Sequence, residues 1–224
     1  AYQPEVMSWT GFYVGGNLGI TYTATSFDHL ATPLSACTLI TGSVADCGTT
    51  GSLNSNSLIG GIQAGFNQQF GSFIWGIEGD ITWRGPGAGK ATFVPAFGVV
   101  QDFAESNDWL ATLRPRVGFA YYRAFIYATG GVAWGSVSHR LSFRDPLNVF
   151  PTLVTQESRT RVGWTTGVGV EYALTTRWTF RGEYLFVDLG EVNVATVASG
   201  GWWATNTTLA EQQHLLRAAL NYRF

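Results

Sequence analysis

The sequence VGWTTGVGVEYALTTRWTFRGEYLFVD, residues Val162–Asp188, carries the pattern on which the fold prediction rests. Apolar and aromatic residues occupy alternate positions on both sides of a short polar break at Thr175–Thr176. The positions between them hold glycine, threonine and charged residues. A period of two predicts a β-strand with one apolar face and one polar face. The stretch is therefore predicted to be an antiparallel hairpin.

The same alternation recurs along the chain. It runs through Phe12–Tyr22, through a hairpin over Leu58–Trp83, through a hairpin that turns near Tyr122–Arg123, and into a last strand that ends at Phe224. Only the strand that starts at residue 124 is irregular, because aromatic residues fall on both of its faces. The pattern predicts eight strands of about 10 to 15 residues, enough to cross a bilayer at a tilt of about 45°.

Short turns alternate with long connections. The turns lie near residues 71, 122 and 175, and the long segments are 24–57, 84–107, 138–158 and 189–209. In an antiparallel meander this order places all short turns at one end, as in outer-membrane barrels. We therefore predict an all-β, eight-stranded antiparallel up-and-down transmembrane β-barrel with short periplasmic turns and four long extracellular loops. Residues 1–8 are expected to form a short periplasmic tail and residues 9–224 a single barrel.

The composition favours a membrane barrel over other classes of protein. Charged residues make up 12% of the chain, against about 25% in soluble domains. A net charge of −2 without a run of Lys or Arg argues against nucleic-acid binding. No run of apolar residues is long enough for a transmembrane helix. Mean hydropathy of +0.08 suits strands that turn only half of their residues to lipid.

A soluble eight-stranded barrel is the alternative, with its apolar face inside. Its exterior would be roughly 25 to 35% charged, whereas the polar positions here hold mainly glycine and uncharged polar residues. Aromatic residues also collect near the strand ends of the apolar face, as they do at the two membrane interfaces. This predicted aromatic girdle comprises Phe70, Phe73, Tyr121, Tyr172 and Trp178 at the turn end, and Trp83, Trp109 and Trp134 towards the loops.

The polar face carries charges of both signs at matched depths from the short turns. Side chains fill the interior of an eight-stranded barrel, so a free aqueous pore is not expected. We predict an ion network that blocks the lumen, made of Glu78, Asp80, Arg114, Arg116, Arg161, Glu171, Arg181, Glu183 and Arg217. The pairs expected from equal depth are Glu78–Arg116, Asp80–Arg114, Glu171–Arg181 and Glu183–Arg217. The alternative is that these charges gate a small conductance.

Two cysteines and the start of the chain bear on the compartment. Cys37 and Cys47 lie close together in a segment rich in Thr, Ser and Gly. A disulfide between them would indicate an oxidising compartment, and two free thiols are the alternative. The chain begins at Ala1 without the features of a signal peptide. It is therefore either cytoplasmic or already processed, and with a membrane barrel we expect a removed signal peptide.

Catalytic and metal-binding patterns are weak in this sequence. His29, His139 and His214 are scattered, and Ser138 and Asp145 near His139 form no nucleophile elbow or placed triad. The histidines and cysteines also lack the spacing of a metal site. We therefore expect a non-enzymatic protein with no cofactor.

Six segments resemble a known family. The sequence is similar to the small eight-stranded outer-membrane barrels of Gram-negative bacteria, in particular the Opa-like, outer-membrane immunogenic, porin-family barrels of alphaproteobacteria. The segments that carry this resemblance are WTGFYVGGNLG (Trp9–Gly19), IGGIQAGFNQQ (Ile59–Gln69), GIEGDI (Gly76–Ile81), YATGGVAWG (Tyr127–Gly135), TTGVGVEYALTTRWTFRGEYLFVDLG (Thr165–Gly190) and the ending LRAALNYRF.

The resemblance implies a place and a set of partners. It implies location in the bacterial outer membrane, a role in envelope integrity and surface recognition, and contact with outer-membrane lipid and lipopolysaccharide. Tyr222 and the terminal Phe224 are similar to the signal that the outer-membrane assembly machinery recognises. Some related barrels are tied to peptidoglycan through an N-terminal alanine, a position that Ala1 matches.

The leading functional hypothesis is a structural barrel that presents loops outside the cell. A narrow porin-like channel, or a transporter of small or hydrophobic molecules, is the alternative. Binding of a partner by the loops is compatible with the first hypothesis.

Overall fold

The computed structural model describes residues 7–32, 48–85, 89–93, 100–144, 153–197 and 204–224. These ranges hold nine strands: β1 (Gly11–Thr32), β2 (Gly48–Phe70), β3 (Phe73–Arg84), β4 (Gly89–Phe93), β5 (Val100–Tyr121), β6 (Ala124–Arg144), β7 (Leu153–Ala173), β8 (Trp178–Val197) and β9 (Ala204–Arg223). No helix in these ranges is long and apolar enough to cross a membrane.

The strands form one antiparallel sheet that closes on itself. Consecutive strands pair with each other except β3 and β4, β1 also pairs with β9, and β3 pairs with β5. The short β4 pairs with β5 beyond the end of β3, so β3 and β4 act as one interrupted strand of the wall. The ring is therefore an eight-stranded up-and-down barrel, which confirms the fold prediction.

The two faces of the wall have the polarity of a membrane barrel. Phe12, Leu18 and Ile62 are 58 to 73% exposed on the outside, whereas Glu78 and Arg114 are at most 2% exposed inside. This arrangement is opposite to that of a soluble lipocalin-like barrel, whose apolar face is inside. The predicted alternation of apolar and polar positions is thus confirmed.

The irregular strand β6 keeps the same alternation. Phe125 and Tyr127 face the interior, with at most 3% exposed, and Ile126 between them is 59% exposed. The aromatic residues that blurred this strand in the sequence are therefore lumen residues.

The strands are much longer than predicted. Apart from β3 and β4 they have 20 to 23 residues, whereas about 9 to 11 tilted residues cross a bilayer. Strand structure extends into the segments 24–57, 84–107, 138–158 and 189–209, which were expected to be loops. Outside the lipid both faces of a strand can meet water, so alternating apolar residues are not required there and the sequence pattern disappears.

The short turns lie where the sequence predicts them, at Gly71–Ser72, Tyr122–Arg123 and residues 174–177. Gly71 has a φ of 61°, a left-handed conformation that glycine adopts without strain.

The outer part of the wall divides into two leaves. The β7–β8 ladder ends at the pair Trp164–Asp188, and the β2–β3 ladder ends at Ile59–Arg84. Beyond these pairs the described ladders join β2, β1, β9 and β8 in one leaf and β7, β6, β5 and β4 in the other.

Two lumen tyrosines lie over glycines of the neighbouring strand. Tyr13 is the register partner of Gly65, and Tyr127 is the register partner of Gly169. A Cβ added at either glycine would overlap the phenol ring of its tyrosine. Two of the 28 glycines therefore make room for aromatic side chains inside the barrel, a pairing known from other curved sheets.

We expect Gly169→Ala to lower the free energy of unfolding by about 1–3 kcal/mol, because the added methyl group must displace the Tyr127 phenol. Gly182→Ala is the matched control, since Gly182 is exposed on the outer face of β8 and its Cβ would meet open space. Urea unfolding of both variants in the same detergent measures the difference. Equal loss of stability in the two variants would contradict the packing argument.

Candidate functional site

The interior near the short-turn end holds a cluster of eight charged side chains, called here the lumen network. All eight are at most 7% exposed, and the two signs are equal in number. Equal numbers of positive and negative side chains allow each buried charge to have a partner, and a buried charge without a partner is strongly destabilising. The members are Glu78, Asp80, Glu171, Glu183, Arg114, Arg116, Arg181 and Arg217.

Arg114 on β5 is the centre of the lumen network. Its Nη2 lies 2.7 Å from Glu78 Oε1 and 2.9 Å from Asp80 Oδ2, both on the adjacent β3. Its Nη1 lies 3.3 Å from Glu183 Oε1 on β8. One guanidinium thus joins two walls of the barrel, which the planar, multidentate donors of arginine allow.

Two further arginines complete this link. Arg217 on β9 contacts Asp80 Oδ1 at 2.9 Å and Glu183 Oε2 at 2.7 Å. Arg181 on β8 pairs with Glu78 across the lumen. Strands β3, β5, β8 and β9 are therefore cross-linked through the interior as well as through their backbone ladders.

Arg116 occupies the lower part of the lumen network, among aromatic rings. Its Nη1 lies 3.2 Å from Glu171 Oε2, and its Nε donates to Asn67 Oδ1 at 2.8 Å. Its guanidinium carbon lies 4.5 Å from the centre of the Tyr13 ring and 5.3 Å from that of Tyr127. Ring faces attract a cation at these distances, and the attraction is stronger where water is excluded.

The structure brings together most of the residues selected from the sequence, but not all of the expected pairs. Asp80–Arg114 and Glu183–Arg217 are direct contacts, and Arg116 lies 3.6 Å from Glu78. Glu171 and Arg181 are register partners on adjacent strands.

Their ion pairs, however, run to other residues: Glu171 contacts Arg116, and Arg181 contacts Glu78. The expected pairing followed depth along the wall, whereas long arginine side chains reach across a narrow lumen. Arg161 is also buried, but it lies ten positions along β7 from Glu171, nearer the loop end than the lumen network.

Two tyrosines belong to the network and escaped the sequence analysis. The Tyr13 hydroxyl donates to Glu78 Oε2 at 2.6 Å, and the Tyr127 hydroxyl donates to Glu183 Oε1 at 2.7 Å. Tyr127 is one of the aromatic residues that make its strand irregular in the sequence, and Tyr13 lies between the apolar positions of β1; neither was included in the predicted network. Their position on the inward face of the strand, together with a glycine opposite each of them on the neighbouring strand, was the pattern that could have identified them.

An aromatic layer closes the short-turn end below the lumen network. Trp9 is fully buried and lies 5.4 Å from Phe125, ring centre to ring centre. Its backbone N–H donates to Gln69 Oε1 at 2.6 Å, and Arg223 lies 5.4 Å over its ring and donates to the Ser8 carbonyl. Residues just before β1 are therefore packed into the mouth of the barrel, including part of the expected tail.

A second apolar layer covers the network on the loop side. Its members are all buried at inward positions of β2, β5, β6, β8 and β9. They are Ile59, Leu110, Ala133, Leu185, Val187, Leu189 and Leu215. The ion pairs thus lie between two water-poor layers, where electrostatic interactions are stronger than in water.

The other predicted residues lie on the outside or beyond the described ranges. Phe224 is 78% exposed and Tyr222 is half-buried. Among the predicted girdle residues, Trp109 and Trp134 are half-buried, and the exposed ones are Phe70, Phe73, Trp83, Tyr121, Tyr172 and Trp178. Outside the described residues lie Ala1, Cys37, Cys47 and Asp145, together with the side chains of His29, Ser138 and His139. The described residues include no group of three or more His, Cys, Asp or Glu placed to hold a metal ion.

We expect Arg116→Ala to lower the free energy of unfolding by about 3–5 kcal/mol, because Glu171 would remain buried without this ion pair. Arg123→Ala is the control, since Arg123 is exposed in a short turn. Heat-modifiable migration on gels and urea unfolding in detergent report the loss. An Arg116→Ala barrel as stable as the Arg123→Ala barrel would count against the network as a source of stability.

Comparison with known proteins agrees with this architecture. The chain matches the outer membrane protein beta-barrel domain family over residues 1–224. It is 32% identical over 229 residues to the 31 kDa outer-membrane immunogenic protein of Brucella melitensis, which covers 98% of this chain and 85% of that protein. It is 26% identical over 182 residues to the 22 kDa outer membrane protein of Rhizobium leguminosarum, covering 81% of this chain and 64% of that protein.

Solved structures share the fold. The outer membrane protease OmpT of Escherichia coli superposes with a TM-score of 0.57 at 8% identity, covering 99% of this chain and 100% of that chain. The outer membrane protein OprG of Pseudomonas aeruginosa gives a TM-score of 0.56 at 11% identity, covering 97% and 99%. At these identities the similarity concerns the fold alone. The chain thus belongs to the outer membrane protein beta-barrel domain family, and its place is the bacterial outer membrane.

Proposed function

We propose that this protein is a structural, non-enzymatic barrel of the outer membrane with a closed lumen, which contributes to envelope integrity and holds recognition segments outside the cell. The observation that carries the proposal is the charge-balanced lumen network between two apolar layers. A channel needs a continuous column of water through the lumen. The side chains of the lumen network and of the two apolar layers occupy that space.

The space beside the upper apolar layer supports a closed lumen. A cavity lined by Thr82, Arg84, Leu110, Gln213 and neighbouring residues has a volume of about 10 Å³. That is about the space of one water molecule. Solutes larger than water would have to displace buried ion pairs or apolar side chains to pass.

The length of the strands supports presentation at the surface. A strand of 20 residues at about 3.3 Å per residue and a tilt of about 45° rises roughly 45 Å. The apolar band of an outer-membrane barrel is only about 25 Å tall. The wall therefore carries the connecting segments well beyond the lipid. Relatives in Brucella are named immunogenic proteins, which is consistent with exposure at the cell surface.

The environment of His214 supports a non-enzymatic role. Its ring is on the outer face and its Nδ1 is hydrogen-bonded to the Tyr184 hydroxyl at 2.7 Å. Among the ring and hydrogen-bond contacts of His214, the neighbours are Tyr22, Tyr184 and Phe186, and none of these is a serine or a carboxylate. The similarity to a protease is at 8% identity and extends to the fold only.

Planar-bilayer recording tests the closed lumen. We expect no steady conductance from the wild-type barrel. Glu78→Ala combined with Arg181→Ala removes an ion pair without leaving a net charge, and should produce small, frequent openings. Gly182→Ala on the outer face is the control and should stay closed. Steady channels from the wild-type protein would favour the transport hypothesis instead.

Deletion of the gene tests the role in the envelope. We expect the deletion strain to become more sensitive to detergents and bile salts, because a structural component of the outer membrane is missing. Wild-type protein and Gly182→Ala should restore resistance, and neither should change the uptake of small solutes. Unchanged detergent resistance together with slower solute uptake would contradict the structural role.

A further inference from the structure

The wall of the barrel has an open seam between the outer ends of β7 and β8. The ladder between these strands ends at the pair Trp164–Asp188. Both strands nevertheless continue, as residues 153–163 of β7 and residues 189–197 of β8. Along these stretches β7 pairs only with β6, and β8 only with β9, within the described part of the chain. Each strand therefore has one edge without a described partner strand.

A β-bulge in β8 lies where this ladder ends. Asp188 pairs with Gln212 and Glu191 pairs with Ala210, so β8 takes three steps where β9 takes two. Gly190 within the bulge has a φ of 72°, and its N–H donates to Asp188 Oδ1 at 2.8 Å. A bulge bends its strand and disrupts pairing there. The seam therefore begins at a defined element of the fold.

Hydrogen bonds at the short-turn end show which residues of β8 bond to which neighbour. The Leu174 N–H donates to the Trp178 carbonyl at 2.9 Å, and the Arg223 N–H donates to the Arg177 carbonyl at 2.8 Å. Successive residues of a strand direct their backbone groups to opposite sides. Below the bulge, even-numbered residues of β8 therefore bond to β7 and odd-numbered residues bond to β9.

The bulge reverses this order, because it adds one residue to β8. Above it, the even-numbered residues 192–196 of β8 pair with the odd-numbered residues of β9, which are the ones that bond to β8. The odd-numbered residues Asn193, Ala195 and Val197 consequently direct their N–H and C=O groups towards the open seam. The outer end of β8 thus presents a row of backbone donors and acceptors along one edge.

The open edge begins where the lipid ends. Asp188 lies ten positions beyond Trp178, the first residue of β8. At about 3.3 Å per residue and a tilt of about 45°, that is roughly 23 Å from the short-turn end, against about 25 Å for the apolar band. Unpaired backbone groups are too costly in hydrocarbon, but water solvates them outside it. The edge of residues 191–197 is therefore within reach of macromolecules outside the cell.

The edge of β8 has a sequence that suits strand pairing. Residues 191–197 read EVNVATV, with three valines, a threonine, no proline and no lysine. β-branched residues favour strands, whereas charges and proline protect natural edges against pairing. The facing edge of β7 contains Glu157, Arg159 and Arg161, and the outer end of β2, GTTGSLNSNS, is rich in glycine, serine and asparagine. Of these edges, that of β8 is the one without such protection.

A second copy of this chain fits the edge poorly. Two barrels in one membrane are related by a two-fold axis along the membrane normal, so their β8 strands run parallel with identical residues at the same height. A parallel ladder needs the two strands offset, because its bonds are slanted. A copy from a facing membrane would pair antiparallel, but the register that pairs most residues sets Glu191 opposite Val197 and offers this carboxylate no cation.

We propose that residues 191–197 of β8 bind an extended segment of another protein by antiparallel strand addition, with a lysine or arginine of that segment next to Glu191. Backbone bonds to Asn193, Ala195 and Val197 supply the affinity, as in other cases of strand addition. Glu191 is exposed at the membrane end of the edge and selects the basic residue. The inference rests on the surface presentation in the proposed function and names the class of partner.

Binding of a dye-labelled, capped peptide, acetyl-TVTVTVTK-amide, to the purified barrel in detergent tests the site by fluorescence anisotropy. We expect saturable binding to the wild type. Ala195→Pro should weaken it about tenfold or more, because proline removes an N–H that faces the seam and leaves the bonds to β9 intact. Ser158→Pro is the matched control, since the same alternation directs the Ser158 N–H to the seam from β7. Its affinity should equal that of the wild type, and heat-modifiable migration verifies folding.

N-methylated peptides test whether the backbone mediates binding. An added strand uses alternate amides, so methylation of one alternate set of peptide N–H groups should abolish binding and methylation of the other set should leave it unchanged. Glu191→Gln should remove the preference for this peptide over one that ends in glutamine.

Three results would overturn the proposal. They are wild-type affinity in Ala195→Pro, equal binding of the two N-methylated peptides, and aggregation of proteoliposomes without peptide, which would indicate pairing between copies. Because the lumen network takes no part, each of these results would leave the conductance and detergent-resistance predictions intact.

Discussion

Closure of the hydrogen-bonded sheet through the β3–β5 ladder is the constraint on which the rest of this structure depends. Hydrocarbon offers no partner to a free backbone N–H or C=O, so strands within the membrane must pair on both sides. Eight strands in a ring leave an interior only as wide as its side chains. The polar positions that alternation turns inward therefore have to bind one another.

The lumen network follows from that narrow space. Arg114, Arg181 and Arg217 reach carboxylates on other strands because the opposite wall is within the length of one side chain. Equal numbers of the two signs keep the lumen network neutral. Tyr13 and Tyr127 donate to carboxylate oxygens that Arg181 and Arg114 also contact. Removal of one partner would expose the other to a medium that cannot solvate it.

The strands and the charged interior could be predicted from the sequence, because contact with lipid requires a regular alternation of apolar and polar residues. The strand ends outside the membrane and the contacts across the lumen could not be predicted, because lipid does not constrain them. Alternation over Val162–Asp188 indicated the strands, and the polar positions of that alternation indicated the charged residues. Both follow because each strand has one face towards lipid and the other towards the lumen. The ladders beyond the membrane left no such pattern. The pairing of Glu171 with Arg116 depends on distances across the lumen. The burial of Trp9 depends on how the chain enters the barrel. The alternation of apolar and polar residues along a strand contains neither kind of information.

The division of the outer wall into two leaves affects where insertions and deletions can be accommodated in this protein. Beyond Trp164–Asp188 and Ile59–Arg84 the described ladders do not join one leaf to the other. An insertion or deletion in one leaf consequently requires no shift of register in its counterpart, and none in the ring below. The outer half can therefore change in length or sequence one leaf at a time, while the membrane-spanning half keeps its sequence.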